Sequence, residues 1–364
     1  MKIGILTFHR AYNYGAVLQC YALKEVLKKM GHYVQVIDYR QPYIEKAYKF
    51  HFSFSKKRMK EINIIKVPFY IGLCFSRDVK QYFIIKKKKK VFESFQNKYL
   101  DLTVDCKTTI PLDFDRYVIG SDMLWSDECM GHSFDDIYLG KFQHKEGSRI
   151  IGYAISGTPD SLEKLGKETK FDFLSNFYSL SVREKTLSNI INKYTGKTVT
   201  QCIDPTLLTT KDLWSSLVEE NIGKSNRKYL VTYFLRRVDK SVYYRINNYA
   251  KSIGYEVVDI DVSPYAVPIS VEKFVSTIAN ANYIVTDSFH GLVFSMIFER
   301  PFHAMTFNDA HDMRYVDILK RIGLDNVIVT PDFMPSIPLI NYSIVYRNIE
   351  TFRNSSLQFL NKYL

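Results

Sequence analysis

Cysteine is scarce in this 364-residue chain, and the five present (Cys20, Cys74, Cys106, Cys129, Cys202) are scattered. They form no CxxC pair and no Cys/His cluster at zinc spacing, so neither a disulfide framework nor a metal site is expected. Free, mostly buried thiols in a reducing compartment, the cytoplasm, are the reading. Long apolar runs are missing as well. The longest in the basic region, "INIIKVPFYIGLCF" (62–75), is broken by Lys66 and Pro68. It falls short of the roughly 20 residues that a bilayer span needs. Met1-Lys2 leads directly into the strand-like "IGILTF", without the pattern of a secretory leader. No GxGxxG, GxxxxGK[ST] or GxSxG occurs, which disfavours dinucleotide cofactors, P-loop chemistry and a nucleophile elbow. Helix-turn-helix, RNA-binding sheet and zinc-finger signatures are absent too, so nucleic acid is not the expected partner.

The chain does have a globular composition, 46% hydrophobic and 24% charged, with 27 Tyr and 25 Phe. Its net charge of +12 is concentrated. From Glu45 to Lys98 there are 15 Lys/Arg against 4 Asp/Glu, including "SKKRMKE" and "IIKKKKKVFESF" interleaved with aromatic residues. A basic, aromatic-rich stretch suits an anionic membrane face or nucleic acid; a solvated helix face is the plainer alternative.

Hydrophobic periodicity divides the chain into two alternating strand–helix series. The first opens with "KIGILTF" (strand), "HRAYNYGA" (loop), "AVLQCYALKEVLKKM" (helix) and "YVQVIDYR" (strand). Residues 43–100 read as inserted helices, after which "RYVIGSD", "RIIGYAIS", "YSLSVR" and "TVTQCID" resume the sheet. A second series starts near Lys228 with "KYLVTYFL" and runs through "YEVVDIDV", "ANYIVT" and "PFHAM". The expected fold is therefore α/β, with two Rossmann-like parallel-sheet domains facing across a cleft. The expected divisions are 1–210, carrying the insertion 43–100; 211–343; and a helix 344–364 packing back on the first domain.

Ligands of open parallel sheets sit beyond the carboxyl ends of the strands, which directs attention to a few loops. In "ANYIVTDSFHGLVFSMIF" (281–298) a strand Tyr283–Thr286 and a helix Leu292–Phe298 are separated by a turn carrying His290. Helix amides there favour an anion, and a histidine beside a bound anion is placed to donate a proton. A histidine satisfied by the turn backbone is the alternative. Arg183, at the end of "SLSV", suits bidentate anion recognition or is a surface arginine at a helix start. Asp204-Pro205 reads as a strand-ending turn with a structural aspartate. Asp122 could bind a sugar hydroxyl and Trp125 a sugar face; a turn aspartate and a core tryptophan are the plainer readings. Arg236, Arg237 and Arg314 are further candidate anion binders.

Taken in order, "ILTFHRAYNYGAVLQCYAL", "YVIGSDMLW", "IGYAISGT", "SLSVREK", "CIDPTLL", "ANYIVTDSFHGLVFSMIFERPF" and "MRYVDILKRIGL" resemble the polysaccharide pyruvyl transferase family. The resemblance spans about Lys2 to Leu324 and leaves out 43–100. It implies a fold similar to GT-B glycosyltransferases. It also implies transfer of pyruvate from phosphoenolpyruvate onto two hydroxyls of a sugar, forming a cyclic ketal and releasing phosphate. By position, His290 matches the family's active-site histidine and Arg183 an arginine that contacts the donor. Typical members carry arginine two residues before the histidine, where this chain has Ser288. The donor is then expected on Arg183, Ser288, Phe289 and Gly291, with Arg236 or Arg314 supplying charge. The acceptor, a lipid-diphosphate-linked sugar, is expected on Asn13, Tyr14, Gly15, Asp122 and Trp125. The scheme calls for no metal or further cofactor, and residues 45–98 would contact the inner membrane face. Two rivals remain: a GT-B glycosyltransferase using a nucleotide sugar, and a non-catalytic basic protein binding membrane or nucleic acid.

Overall fold

The protein is described by a computed structural model covering residues 1–52, 66–219 and 227–364. The basic motif "SKKRMKE" and most of the polar stretch expected to separate the two series lie outside the described residues. The first sheet has six parallel strands in the order β2-β1-β3-β4-β5-β6. They are β1 (Lys2–Leu6), β2 (Tyr33–Val36), β3 (Arg116–Asp122), β4 (Arg149–Ile155), β5 (Ser179–Val182) and β6 (Thr200–Gln201). The second sheet has five, in the order β11-β10-β9-β7-β8. These are β7 (Tyr229–Tyr233), β8 (Glu256–Asp259), β9 (Tyr283–Thr286), β10 (Phe302–Met305) and β11 (Ile328–Val329). Both sheets place their second strand outside the first and their third on its other side. Each therefore has a switch point, between β1 and β3 and between β7 and β9, where the crevice for a ligand opens.

The helices start where local chemistry allows. Helix α1 (Tyr14–Lys29) begins at Asn13, whose side chain accepts from the Ala16 amide, and ends with Lys28 and Lys29 near its carbonyl terminus. The "NYGA" expected in the loop therefore forms the first turn of the helix. Helix α2 (Pro42–Ala47) is short, and α3 (Val67–Tyr99) is a 33-residue helix within the expected insertion. Helices α4 (Pro159–Thr169), α5 (Lys185–Thr195), α6 (Pro205–Leu208) and α7 (Lys211–Ser215) complete the first half. In the second half come α8 (Lys240–Ser252), α9 (Val271–Ala279), α10 (Phe289–Ile297) and α11 (Met313–Arg321). The last helix is α12 (Tyr342–Tyr363).

The sheets do not form two separate cores. One cluster of buried apolar side chains runs from Ile5, Val17 and Tyr21 on the first sheet side through Trp214 to Phe274, Leu292 and Phe294 on the second. Tyr14 stacks on Phe274 at 4.4 Å with ring planes 3° apart, and Trp214 meets Phe294 edge-on at 4.7 Å. Each such pair contributes about 1 kcal/mol beyond its buried area. A large apolar seam of this kind opposes free hinge motion between domains.

Helix α12 bridges the two sides: Tyr346 donates to the Met296 carbonyl of the second, and the helix's C-terminal half packs on the first. Ser356 accepts from the Ile203 amide at 3.0 Å, and Phe359 lies against Tyr153. Phe359 is buried, so Phe359→Ala should cost about 3–5 kcal/mol. A shift of the denaturant midpoint without a change in slope would check this; an unchanged midpoint would show that the helix contributes nothing there.

Candidate active site at the domain seam

A cavity of about 300 Å³ opens where the two switch points meet. From the first sheet side it is lined by the loop after β1 (Phe8, Ala11, Asn13), by Tyr43, Ile44 and Tyr48 around α2, by Asp122 at the end of β3, and by Arg183 after β5. From the second come Leu235 after β7, Ser288, Phe289 and His290 after β9, and Arg314 on α11. The rule that ligands lie beyond strand carboxyl ends thus selects the same loops in sequence and structure.

His290 lies in the first turn of α10 rather than in the turn before it. Ser288 caps the helix by accepting from the Gly291 amide at 3.2 Å, which starts the helix three residues earlier than the apolar run suggests. The imidazole reaches across the seam into the first sheet side. Its ring lies so close to Gly15 that a Cβ there would fall 2.0 Å from Nδ1. Its Nε2 is buried, has no hydrogen-bond partner among the described residues, and stands 3.7 Å from Oδ1 of Asp204, an ion-pair separation too long for a hydrogen bond.

Asp204 is the site's unforeseen member. The Asp-Pro turn is present: Asp204 caps α6, and one oxygen accepts from the Thr206 amide at 3.0 Å and hydroxyl at 2.7 Å. Its other oxygen accepts from Arg183 at 3.0 Å. Burial alone would raise its pKa. His290, Arg183 and Thr206 overcome that and hold the carboxyl well below the usual carboxylate range.

Arg183 is buried and occupied within the protein. Its Nε donates to Glu184 at 2.8 Å, its two terminal nitrogens to Asp204 and Ser156, and its guanidinium lies over the Phe289 ring at 4.3 Å. Burial opposes the charge, but Glu184 and Asp204 keep its pKa raised. Arg314 differs. It donates to the His311 carbonyl and to the Met123 sulfur at 2.9 Å, a weak acceptor. Among the described residues no carboxylate pairs with it within 4 Å. Burial, then the Arg183 charge, push its pKa down. The N-termini of α1 and α10 converge on the same cavity and add amides that their caps leave free.

Several expected residues lie elsewhere. Trp125 is fully buried, donates to the Tyr138 carbonyl and packs on Phe173, so its ring is core and not a sugar platform. Tyr14 is held in the seam by Phe274 and donates to the Ile269 carbonyl. Arg236 is bound by Asp287, Asp309 and Asp312 at 2.7–2.9 Å and is outside the cavity lining; of the two arginines offered for charge, Arg314 is the one at the cavity. Gly291 is required by packing, since a Cβ would meet the Thr286 hydroxyl at 2.4 Å. Asp122 does line the cavity, with its backbone at φ +80° and one oxygen accepting from the Met123 amide.

Two outcomes follow from this geometry. Gly15→Ala should displace the imidazole at a cost of about 1–3 kcal/mol. Altered ring resonances of His290 in NMR would show the displacement, and unchanged resonances would contradict the packing. Asp204 has a depressed folded pKa, so its contribution is complete above its ordinary value of about 4 and is lost as pH falls through the folded one. The stability gap between the native chain and Asp204→Asn should be widest at neutral pH and narrow below about pH 4. A gap that widens on acidification would contradict the assignment.

Comparison with known proteins gives the family. No curated protein matches the sequence significantly. Among solved structures, a UDP-GlcNAc 2-epimerase from Neisseria meningitidis is 9% identical, with a TM-score of 0.47 over 100% of this chain and 93% of that one. The E. coli heptosyltransferase WaaC is 11% identical, with a TM-score of 0.40 over 96% and 99%. The sequence profile of polysaccharide pyruvyl transferase matches residues 13–309, from the cap of α1 through the whole cavity lining except Phe8, Ala11 and Arg314. The chain belongs to the polysaccharide pyruvyl transferase family.

Proposed function

We propose that this transferase moves pyruvate from phosphoenolpyruvate onto two hydroxyls of a lipid-diphosphate-linked sugar at the inner face of the cell membrane. The observation that carries the reading is one cavity holding an arginine without a carboxylate partner, Arg314, beside a histidine with a carboxylate at its back, His290 with Asp204. The donor's charged groups would lie on Arg314 and the amides of α1 and α10, with the Ser288 hydroxyl as a further donor. Arg183 would act mainly as the positioning residue that fixes Asp204.

The chemistry balances with these groups. His290 gives a proton to the methylene carbon of phosphoenolpyruvate, leaving C2 electrophilic. A sugar oxygen bonds to C2 and its proton passes to Asp122. The bond from C2 to the phosphate oxygen breaks, the electron pair leaves with phosphate, and Asp122 returns the proton to it. The second hydroxyl bonds to C2 and its proton restores His290. Arg314 offsets the growing charge on the departing phosphate. On the first sheet side, Phe8, Tyr43, Ile44 and Tyr48 offer an apolar wall suited to the face of a sugar ring, beside the polar Asn13 and Asp122.

Incubation with phosphoenolpyruvate and lipid-linked glycans, following phosphate release and ketal formation together, tests the reading. His290→Ala should lower turnover by about 10²- to 10⁴-fold while leaving donor affinity nearly unchanged. Arg314→Ala should mainly raise the donor KM, since a hydrogen bond to a charged group contributes about 1.5–3 kcal/mol. Full turnover in the histidine variant would refute the acid assignment. Sugar transfer from a nucleotide sugar would refute the reaction.

A further inference from the structure

Helix α3 changes character along its length. Its second half is docked. Ile84, Phe92, Phe95 and Gln96 are buried, Gln96 donates to the His9 carbonyl, and Lys88 reaches the Ser263 carbonyl at 2.9 Å. Its first half exposes Phe69, Ile71, Leu73, Phe75, Val79, Tyr82 and Phe83, with Phe69 and Phe75 about 70% open to solvent (71% and 69%). At about 100° per residue these seven side chains fall within an arc of roughly 200°. Lys86, Lys87, Lys89 and Lys90 continue the same arc at the junction of the two halves, and all four are exposed. Apolar and cationic groups are thus separated along the helix axis while sharing one face.

We propose that this face is a membrane-docking arm that takes an anionic lipid surface. From 66 to 99 the chain has nine Lys/Arg and two Asp/Glu, and one of the two acids, Asp78, is buried. A second copy of the chain would therefore set lysines against lysines, with few acids to answer them. Nucleic acid would satisfy the lysines and could stack on the four exposed rings, but it would leave Ile71, Leu73 and Val79 in water, where a base offers them little. A bilayer surface satisfies both parts at once. The apolar half lies in the boundary between headgroups and acyl chains, and the lysines meet lipid phosphates. A groove beside Phe50 and Tyr82, lined by Lys86, Lys89 and Lys90, lies at the same junction and is open to a headgroup. No described helix is long and apolar enough to cross a membrane, so the arm rests on the surface.

The root of the arm adjoins the cavity. Phe92 stacks on Tyr12, which stacks on Tyr48 of the cavity lining. Docking would therefore hold the cavity beside the bilayer. The purpose of the arm, presenting the site to a lipid-linked acceptor, rests on the reading above; the binding itself does not.

Sedimentation of the full chain with vesicles tests it. Binding should be strong to phosphatidylglycerol/phosphatidylcholine vesicles, at least tenfold weaker to pure phosphatidylcholine, and reduced by salt. Combined Phe69→Ser, Phe75→Ser and Phe83→Ser, or combined Lys86→Glu, Lys89→Glu and Lys90→Glu, should lower binding at least tenfold with the thermal unfolding curve unchanged. Equal binding to both vesicle types, undiminished binding in both variants, self-association that buries the arm, or tighter binding of an oligonucleotide than of anionic vesicles would overturn the proposal. His290→Ala should bind vesicles normally, and the arm variants should keep turnover on a soluble acceptor. In the native chain, turnover on a soluble acceptor without binding to anionic vesicles refutes the arm alone, and vesicle binding without turnover refutes the reaction alone.

Discussion

One ring determines the arrangement of the rest. His290 belongs to the second sheet, yet its imidazole is enclosed by the first: Gly15 on one side, Asp204 on the other. Neither half of the chain contains the site by itself. Behind the ring, Arg183, Glu184 and Asp204 form a buried cluster with one more negative charge than positive. Buried charge without compensation is costly, and the Arg314 guanidinium, which feels both Arg183 and Glu184, stands beside this cluster. The second oxygen of Glu184 and Nε2 of His290 have no hydrogen-bond partner among the described residues.

That constraint accounts for the seam. A ring that leaves no room for a Cβ on Gly15 keeps its place only if the two sheets keep a fixed relation. The continuous apolar cluster, the Tyr14–Phe274 stack and the Trp214–Phe294 contact hold that relation. Polar ties cross the cleft as well: His311 stands 3.3 Å from Glu128, and Arg314 reaches Met123. Tyr14, expected at the acceptor, serves the site indirectly by holding the helix whose next residue, Gly15, makes space for the imidazole.

The fold was largely legible because its signals are local. Alternating apolar runs mark the strands, and their polar ends mark the crevice loops, including those bearing His290 and Arg183. What escaped the reading depends on residues distant in sequence. Asp204 was correctly read as a turn residue, but one carboxylate has two oxygens, and only tertiary packing brings Arg183 and His290 to it. Glycine at 15 looked like loop chemistry; its reason is a ring 275 positions away. Trp125 sits in a strand-end motif, and a motif does not say which way an indole turns; here it turns inward, toward Phe173. Helix starts shifted for a simpler reason: Asn13 and Ser288 cap earlier than the apolar run begins.

Arg236 and Arg314 show how differently one sheet side can treat a guanidinium. Both are arginines of the second sheet side near strand ends. Arg236 is saturated by Asp287, Asp309 and Asp312, so its charge is more than balanced and its geometry fixed. Arg314 has been given a carbonyl and a thioether instead. A thioether fills space and accepts weakly, so it orients a guanidinium without neutralising it. Arg314 thereby brings a positive charge from α11 to the same cavity that Ser288 lines. Ser288 is then free to cap α10, which directs that helix's remaining first-turn amides at the site.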